Sequence, residues 1–385
     1  MHHLEMLFLS HNLIDEISVG TFDLTIHNLD LSYNNLTQLD PDLFVKTDLS
    51  TLSLSNNYIS LSASNPFSKL QWICLNRNKL GDLTADMFSA CRNMKRLYLS
   101  CNEIKHIDQH AFRGLKLHEL FLEDNLFTVF DTRCIVGQNL QTLSLKGNDH
   151  MKHMRVAHPN VFKSLTSFDM SFTNLTKLCE FTDSKVPTKL SIEHIFSFFR
   201  FTSLKKLDLS HNKLSELSDE AFFKRMPALQ RLSLSHNQLV KIHPDAFVGQ
   251  IKLCQINLSH NQLVELHNHT FINQAMLCEV NLSHNSLTYL NIEHLFFSTN
   301  FLAWLDLSHN RLDERTINKS LFNVLKMAFD QINSEIKKLP VREKILKVKL
   351  ENNLYDYEKD EEVMNELTSR YAHAFYNQRF HLNHN

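Results

Sequence analysis

Apolar residues return along this chain in one phrase: leucine or a substitute at positions one, four and six, asparagine at nine and leucine again at eleven. The clearest run is Leu204, Leu207, Leu209, Asn212, Leu214, then Leu229, Leu232, Leu234, Asn237, Leu239, and three more copies that start at Leu253, Leu277 and Leu302. Earlier copies start at Leu4, Ile26, Leu49, Leu70, Met94, Leu117, Leu140 and Leu165. Most carry the asparagine, as Asn12, Asn34, Asn57, Asn78, Asn102, Asn125 and Asn148, whereas the eighth has Thr173 there. A degenerate copy, Ile345, Val348, Leu350, Asn353, Tyr355, brings the count to about fourteen repeats.

The spacing of roughly 21 to 25 residues is that of leucine-rich repeats. It predicts an α/β solenoid, a curved horseshoe with a parallel β-sheet on its concave face. In each copy the alternating leucines make a short strand whose apolar side turns inward, and stacked copies share one core. The asparagine falls where the chain leaves the strand, so its amide is expected to serve backbone groups that lack a strand partner. About ten residues later most copies place a phenylalanine, Phe22, Phe44, Phe67, Phe88, Phe112, Phe222, Phe247 or Phe271, which is expected to close the convex side.

Residues 1–312 thus hold repeats one to thirteen, with no cap ahead of Leu4 and an irregular insertion over 179–201. Residues 313–344 read as a helical insertion, with Leu321, Val324, Leu325, Ala328 and Ile332 at helical spacing. Residues 345–385 read as the last repeat followed by a C-terminal cap without cysteine.

Composition changes this picture little. A net charge of −2 among 385 residues gives no electrostatic case for nucleic acid. With 6 glycines and 7 prolines the chain is not a turn-rich barrel. No stretch reaches the roughly 20 apolar residues of a membrane span, and the start has no signal-peptide pattern. No catalytic, cofactor-binding or metal motif is present: there is no phosphate loop, no nucleophile elbow and no HExxH.

The 24-residue phrase with its LSHN turn and downstream phenylalanine resembles the typical leucine-rich repeats of animal extracellular proteins, including Toll-like receptor ectodomains and insect leucine-rich immune proteins. That resemblance implies a recognition module of innate-immune type, binding a protein or a microbial glycoconjugate through the concave sheet, as a single chain or in a homo- or heterodimer. It implies an extracellular or ectodomain location. The missing signal sequence and the cysteine-free caps leave a cytosolic scaffold for signalling proteins as the alternative.

Strand residues between the inward leucines face outward. In most copies these are small or polar, such as Asn28, Asp30, Thr51 and Ser53. Repeats four to six differ, presenting Trp72, Cys74 and Asn76, then Arg96 and Tyr98, then Glu119, Phe121 and Glu123. Aromatics and arginine are the types enriched at interaction hot spots, so Trp72, Asn76, Arg96, Tyr98, Glu119, Phe121 and Glu123 are the candidate ligand contacts.

Three further patterns stand apart. His211, His236, His260, His284 and His309 precede the asparagine in successive repeats, which makes an acid-sensitive ridge, a zinc site or a tolerant turn position. Cys254 and Cys278 are equivalent in adjacent repeats, where two separate thiols are expected and a bridge is the alternative. Sequons place candidate glycosylation sites at Asn35, Asn174, Asn268 and Asn318, with two more on strands at Asn257 and Asn281.

Overall fold

The computed structural model describes residues 3–22, 25–61, 67, 69–85, 87–88, 90–176, 189–191, 195–217, 222–299, 302–312 and 347–349. The helical insertion and the C-terminal cap anticipated from sequence lie outside these, except for a strand at Lys347–Lys349. The chain divides into two units, the first comprising Met1–Asn174 with Phe181–Leu204, the second Leu175–Glu180 with Lys205–Asn385.

The first unit contributes eight parallel strands in chain order, from His3–Phe8 and Thr25–Asp30 to Thr142–Ser144 and Ser167–Asp169. The second contributes six, from Lys206–Asp208 to Lys347–Lys349. That is one strand for each repeat counted in the sequence. Register is strict: Leu52 faces Ile73, then Leu97, Leu120, Leu143 and Phe168, and in the second unit Leu207 faces Leu232, Ile256, Val280 and Leu305. These residues are all buried, so a one-residue slip would turn the leucine column to solvent.

Each strand is short because the chain turns out of it at a fixed place. The residue just before the asparagine is left-handed in every complete repeat among the described residues, from His11 (φ 57°) and Tyr33 (φ 54°) to His309 (φ 53°). This conformation is costly for most L-residues and persists where surrounding contacts over-determine it. The asparagine supplies them. Asn78, 6% exposed, donates from Nδ2 to the Leu54 and Leu75 carbonyls at 2.9 and 3.1 Å and accepts the Ile59 N–H at 2.9 Å. Its bonds therefore tie a turn to the one before it.

Phenylalanines line the opposite side as anticipated. Phe22 stacks on Phe44 at 5.8 Å, Phe88 on Phe112 at 6.1 Å, and Phe247 on Phe271 at 5.7 Å. In the ninth repeat Phe223, within a 3-10 turn over Phe222–Arg225, joins this file 5.6 Å from Phe247, and the Phe222 side chain lies outside what the structure describes. Phe296 extends the file, 5.6 Å from Phe271. Helix among the described residues is confined to four-residue turns such as Ile195–Phe198 and Ile292–Leu295.

The irregular insertion packs into the first unit. Ile195, Phe196, Phe199 and Phe201 are fully buried, and Phe199 and Phe201 lie 4.7 and 5.5 Å from Phe162. These four residues are therefore core. Alongside runs a small sheet, with Lys189–Ser191 antiparallel to His153–Arg155 and the latter parallel to Val129–Asp131.

Candidate functional site

The strand pattern fixes which side chains share the open face. Leucines at every second position are buried, so the intervening residues stand on the other side. Neighbours in register lie one strand apart: Trp72, Arg96 and Glu119 form one row, and Cys74, Tyr98 and Phe121 the next. All the residues singled out from sequence in repeats four to six are half-buried or exposed on this face.

Three of them form an aromatic file. The Tyr98 ring stacks on Phe121 at 4.5 Å and 13°, and its other side meets Trp72 at 5.5 Å and 54°. Tyr98 and Phe121 thus cover one another's facing sides, whereas Trp72 is tilted against Tyr98.

Around the file the polar groups are paired. Arg96 Nε lies 3.3 Å from Glu119 Oε1, and the Tyr98 hydroxyl donates to Glu119 Oε2 at 3.4 Å. Asn76 Oδ1 accepts the Ser100 N–H at 2.8 Å, and the Ser100 hydroxyl donates to Glu123. Partial burial raises the Tyr98 phenol above its ordinary range, and the adjacent Glu119 carboxylate pushes in the same direction. Burial likewise raises the Cys74 thiol. Both groups are therefore protonated at neutral pH.

Beside Phe121 in register, Ser144 is 3% exposed and its hydroxyl has no hydrogen-bond partner. On the second unit, sequence reasoning passed over Trp304. It is half-buried on the open face, in one row with Glu279 and Lys347. The alternation that singled out Trp72 applies equally to Trp304-Leu305-Asp306 and would have found it.

Cys254 and Cys278 are joined in a disulfide, with Cα atoms 5.1 Å apart, which corrects the expectation of two separate thiols. Cys278 N–H donates to the Cys254 carbonyl at 2.7 Å, so the parallel register itself brings the two side chains to bridging distance. Of the sequons, Asn268 and Asn174 are exposed, the latter with Nδ2 donating to the Asp149 carbonyl at 2.9 Å, and Asn35 is half-buried. Asn318 lies outside the described residues. Among those residues no cluster of three or more metal-ligating side chains is present, and no helix is long and apolar enough to cross a membrane.

Comparison with known proteins agrees with this architecture. The leucine-rich-repeat pattern matches residues 25–46, 68–127 and 202–263. Human Toll-like receptor 3 is 26% identical over 231 residues, covering 57% of this chain and 25% of the receptor. Chicken Tsukushi is 26% identical over 218 residues, 55% of each chain. This chain therefore spans a quarter to about half of these relatives. Among solved structures, the mouse RP105/MD-1 complex superposes with a TM-score of 0.64 at 21% identity, over 88% of this chain and 55% of the other. The chain folds as a leucine-rich-repeat solenoid and is similar in sequence to Toll-like receptor 3 and Tsukushi.

Proposed function

We propose that this chain is a non-enzymatic recognition module, extracellular and of innate-immune type, that binds a protein or microbial glycoconjugate through the open sheet face of its first unit. The observation that carries the proposal is the file of Trp72, Tyr98 and Phe121 on three adjacent strands, framed by the Arg96–Glu119 ion pair. Such a surface is preorganised: its side chains are held by each other, so little rotamer freedom remains to be lost on binding. Protein is the favoured ligand, because paired charges around an aromatic centre match the anatomy of protein interfaces. Mouse RP105, which shares the fold, crystallised with the protein MD-1.

The Cys254–Cys278 disulfide supports an oxidising compartment over the cytosolic alternative. Asn35, Asn174, Asn268 and Asn318 are the proposed glycan carriers, and digestion with an N-glycosidase tests them by gel mobility.

The binding proposal is tested by screening the full chain against an extracellular-protein panel and a microbial glycan array, then repeating each hit with Tyr98→Ala and Trp72→Ala. A hot spot predicts a loss of about 30-fold or more in affinity at Tyr98, equivalent to roughly 2 kcal/mol. Hits bound equally well by both variants would place recognition elsewhere and overturn the reading.

A further inference from the structure

A second feature owes nothing to the aromatic file. The rings of His211, His236, His260, His284 and His309 form one continuous column along the second unit, with successive centroids 4.1, 4.0, 4.0 and 3.9 Å apart and planes within 9° to 11° of parallel. All five sit in the left-handed turn with φ between 52° and 54°, which is why the rings align: identical backbone geometry repeats at strand spacing. The rings lie closer than the roughly 4.8 Å separating strands, so as neutral groups they are in van der Waals contact.

We infer that this column is an acid-sensing device, which ties the turns of repeats nine to thirteen together while its rings are neutral and loosens them once adjacent rings are charged. A proton on one ring stands about 4 Å from the next, and two imidazolium ions stacked at that distance repel. The charged groups along the column are of both signs. Lys213 and Arg311 follow its two end members and are themselves cationic. Of the acids on the adjoining strands, Asp208 and Asp306 are engaged by the Ser210 and Ser308 N–H groups, and Glu279 and Glu265 lie on neighbouring segments. His260, at the centre, is held below the ordinary histidine range, first by partial burial and then by the other four histidines.

The sign follows from linkage. A histidine whose folded pKa is depressed binds its proton more readily in the unfolded chain. Stability is therefore full above the unfolded value of about 6.5 and is lost as pH falls through the lower folded value.

The test is a histidine NMR titration of the full chain with amide hydrogen exchange at about pH 7 and about pH 5, corrected for intrinsic rates. It compares wild type with His236→Asn/His284→Asn, which leaves the remaining rings two turns apart. Asparagine suits the turn, since Asn56 occupies the equivalent place with φ 56°. In wild type His260 titrates below the ordinary histidine range, and turn amides of repeats nine to thirteen exchange at least about threefold faster in acid. In the double variant His260 rises toward the ordinary range and the acid-induced exchange falls away. An ordinary midpoint for His260 in wild type, or equal acid loosening in both proteins, would overturn the inference.

Discussion

Replacing Asn125 by alanine isolates what the asparagine contributes. Asn125 is 3% exposed; its Nδ2 donates to the Leu99 carbonyl at 3.0 Å and to the Leu122 and Glu123 carbonyls at 3.1 Å, and its Oδ1 accepts the Ile104 N–H at 3.1 Å. Nδ2 has two protons, so truncation loses about three hydrogen bonds and leaves the Ile104 N–H buried without a partner, while the Leu99 carbonyl keeps the Asn102 amide at 3.0 Å. At ~1–3 kcal/mol for the orphaned N–H and ~0.5–1.5 kcal/mol for each of the two lost Nδ2 bonds, the cost is about 3–4 kcal/mol. Asn148 is the internal control, donating from Nδ2 to Leu122, Leu145 and Lys146 carbonyls while its buried Oδ1 has no partner. Asn148→Ala removes an already unsatisfied oxygen along with its bonds, so it should cost about 1–2 kcal/mol less than Asn125→Ala. Repeat arrays melt locally, so native-state hydrogen exchange of the neighbouring strand amides is the assay, with urea denaturation by circular dichroism beside it. Equal costs at the two sites, or less than about 1 kcal/mol at Asn125, would show that leucine packing alone fixes the turn.

Other outcomes follow from single features. Ser144→Ala deletes a buried, unpartnered hydroxyl and should leave stability unchanged or raise it by up to about 1 kcal/mol in thermal melts. Phe271→Ala removes a fully buried ring between Phe247 and Phe296 and should cost about 3–5 kcal/mol, read by the same denaturation. Cys254→Ser/Cys278→Ser opens a loop of sequence separation 24, which should cost about 3 kcal/mol, whereas unchanged melting in the non-reduced proteins would mean the bridge does not form in solution. Cys91 is buried and its thiol is pushed up to about 12 by desolvation, so mass spectrometry after alkylation of the folded chain at neutral pH should find it unmodified.

Much of this structure could be read beforehand because a repeat makes each position testify many times. The leucine phrase, read copy by copy, supplies the strands, the register and the buried file of Leu52, Ile73, Leu97 and Leu120. The same alternation placed Trp72, Tyr98 and Phe121 on the open face. What it could not supply was how the rings meet, because strand spacing allows either face-to-face or edge contact and only the rotamers choose. The disulfide was missed for a related reason. Equivalent positions in adjacent copies are always near one another, so proximity does not distinguish a bridge from two thiols; the direction of the Cβ vectors does.

The left-handed turn shows where composition and conformation part. Thirteen repeats carry His, Tyr, Asn, Arg, Cys, Asp, Gly or Phe at that place, yet all have positive φ. Such variety reads as a tolerant surface position, and for side chains it is. The backbone there is held from elsewhere, by the asparagine that follows it or, in the eighth repeat, by Thr173, whose hydroxyl donates to the Met170 carbonyl at 2.8 Å. Gly147 is the exception that side-chain space explains: with φ 72°, a Cβ there would collide with the Asp124 carboxylate, so Gly147→Ala should destabilise the seventh repeat where Asp124→Ala/Gly147→Ala does so less. A position can therefore be free in identity and fixed in shape. That freedom is what lets five histidines occupy it in succession, with each ring delivered onto its neighbour by a backbone that would have adopted the same turn for any of them.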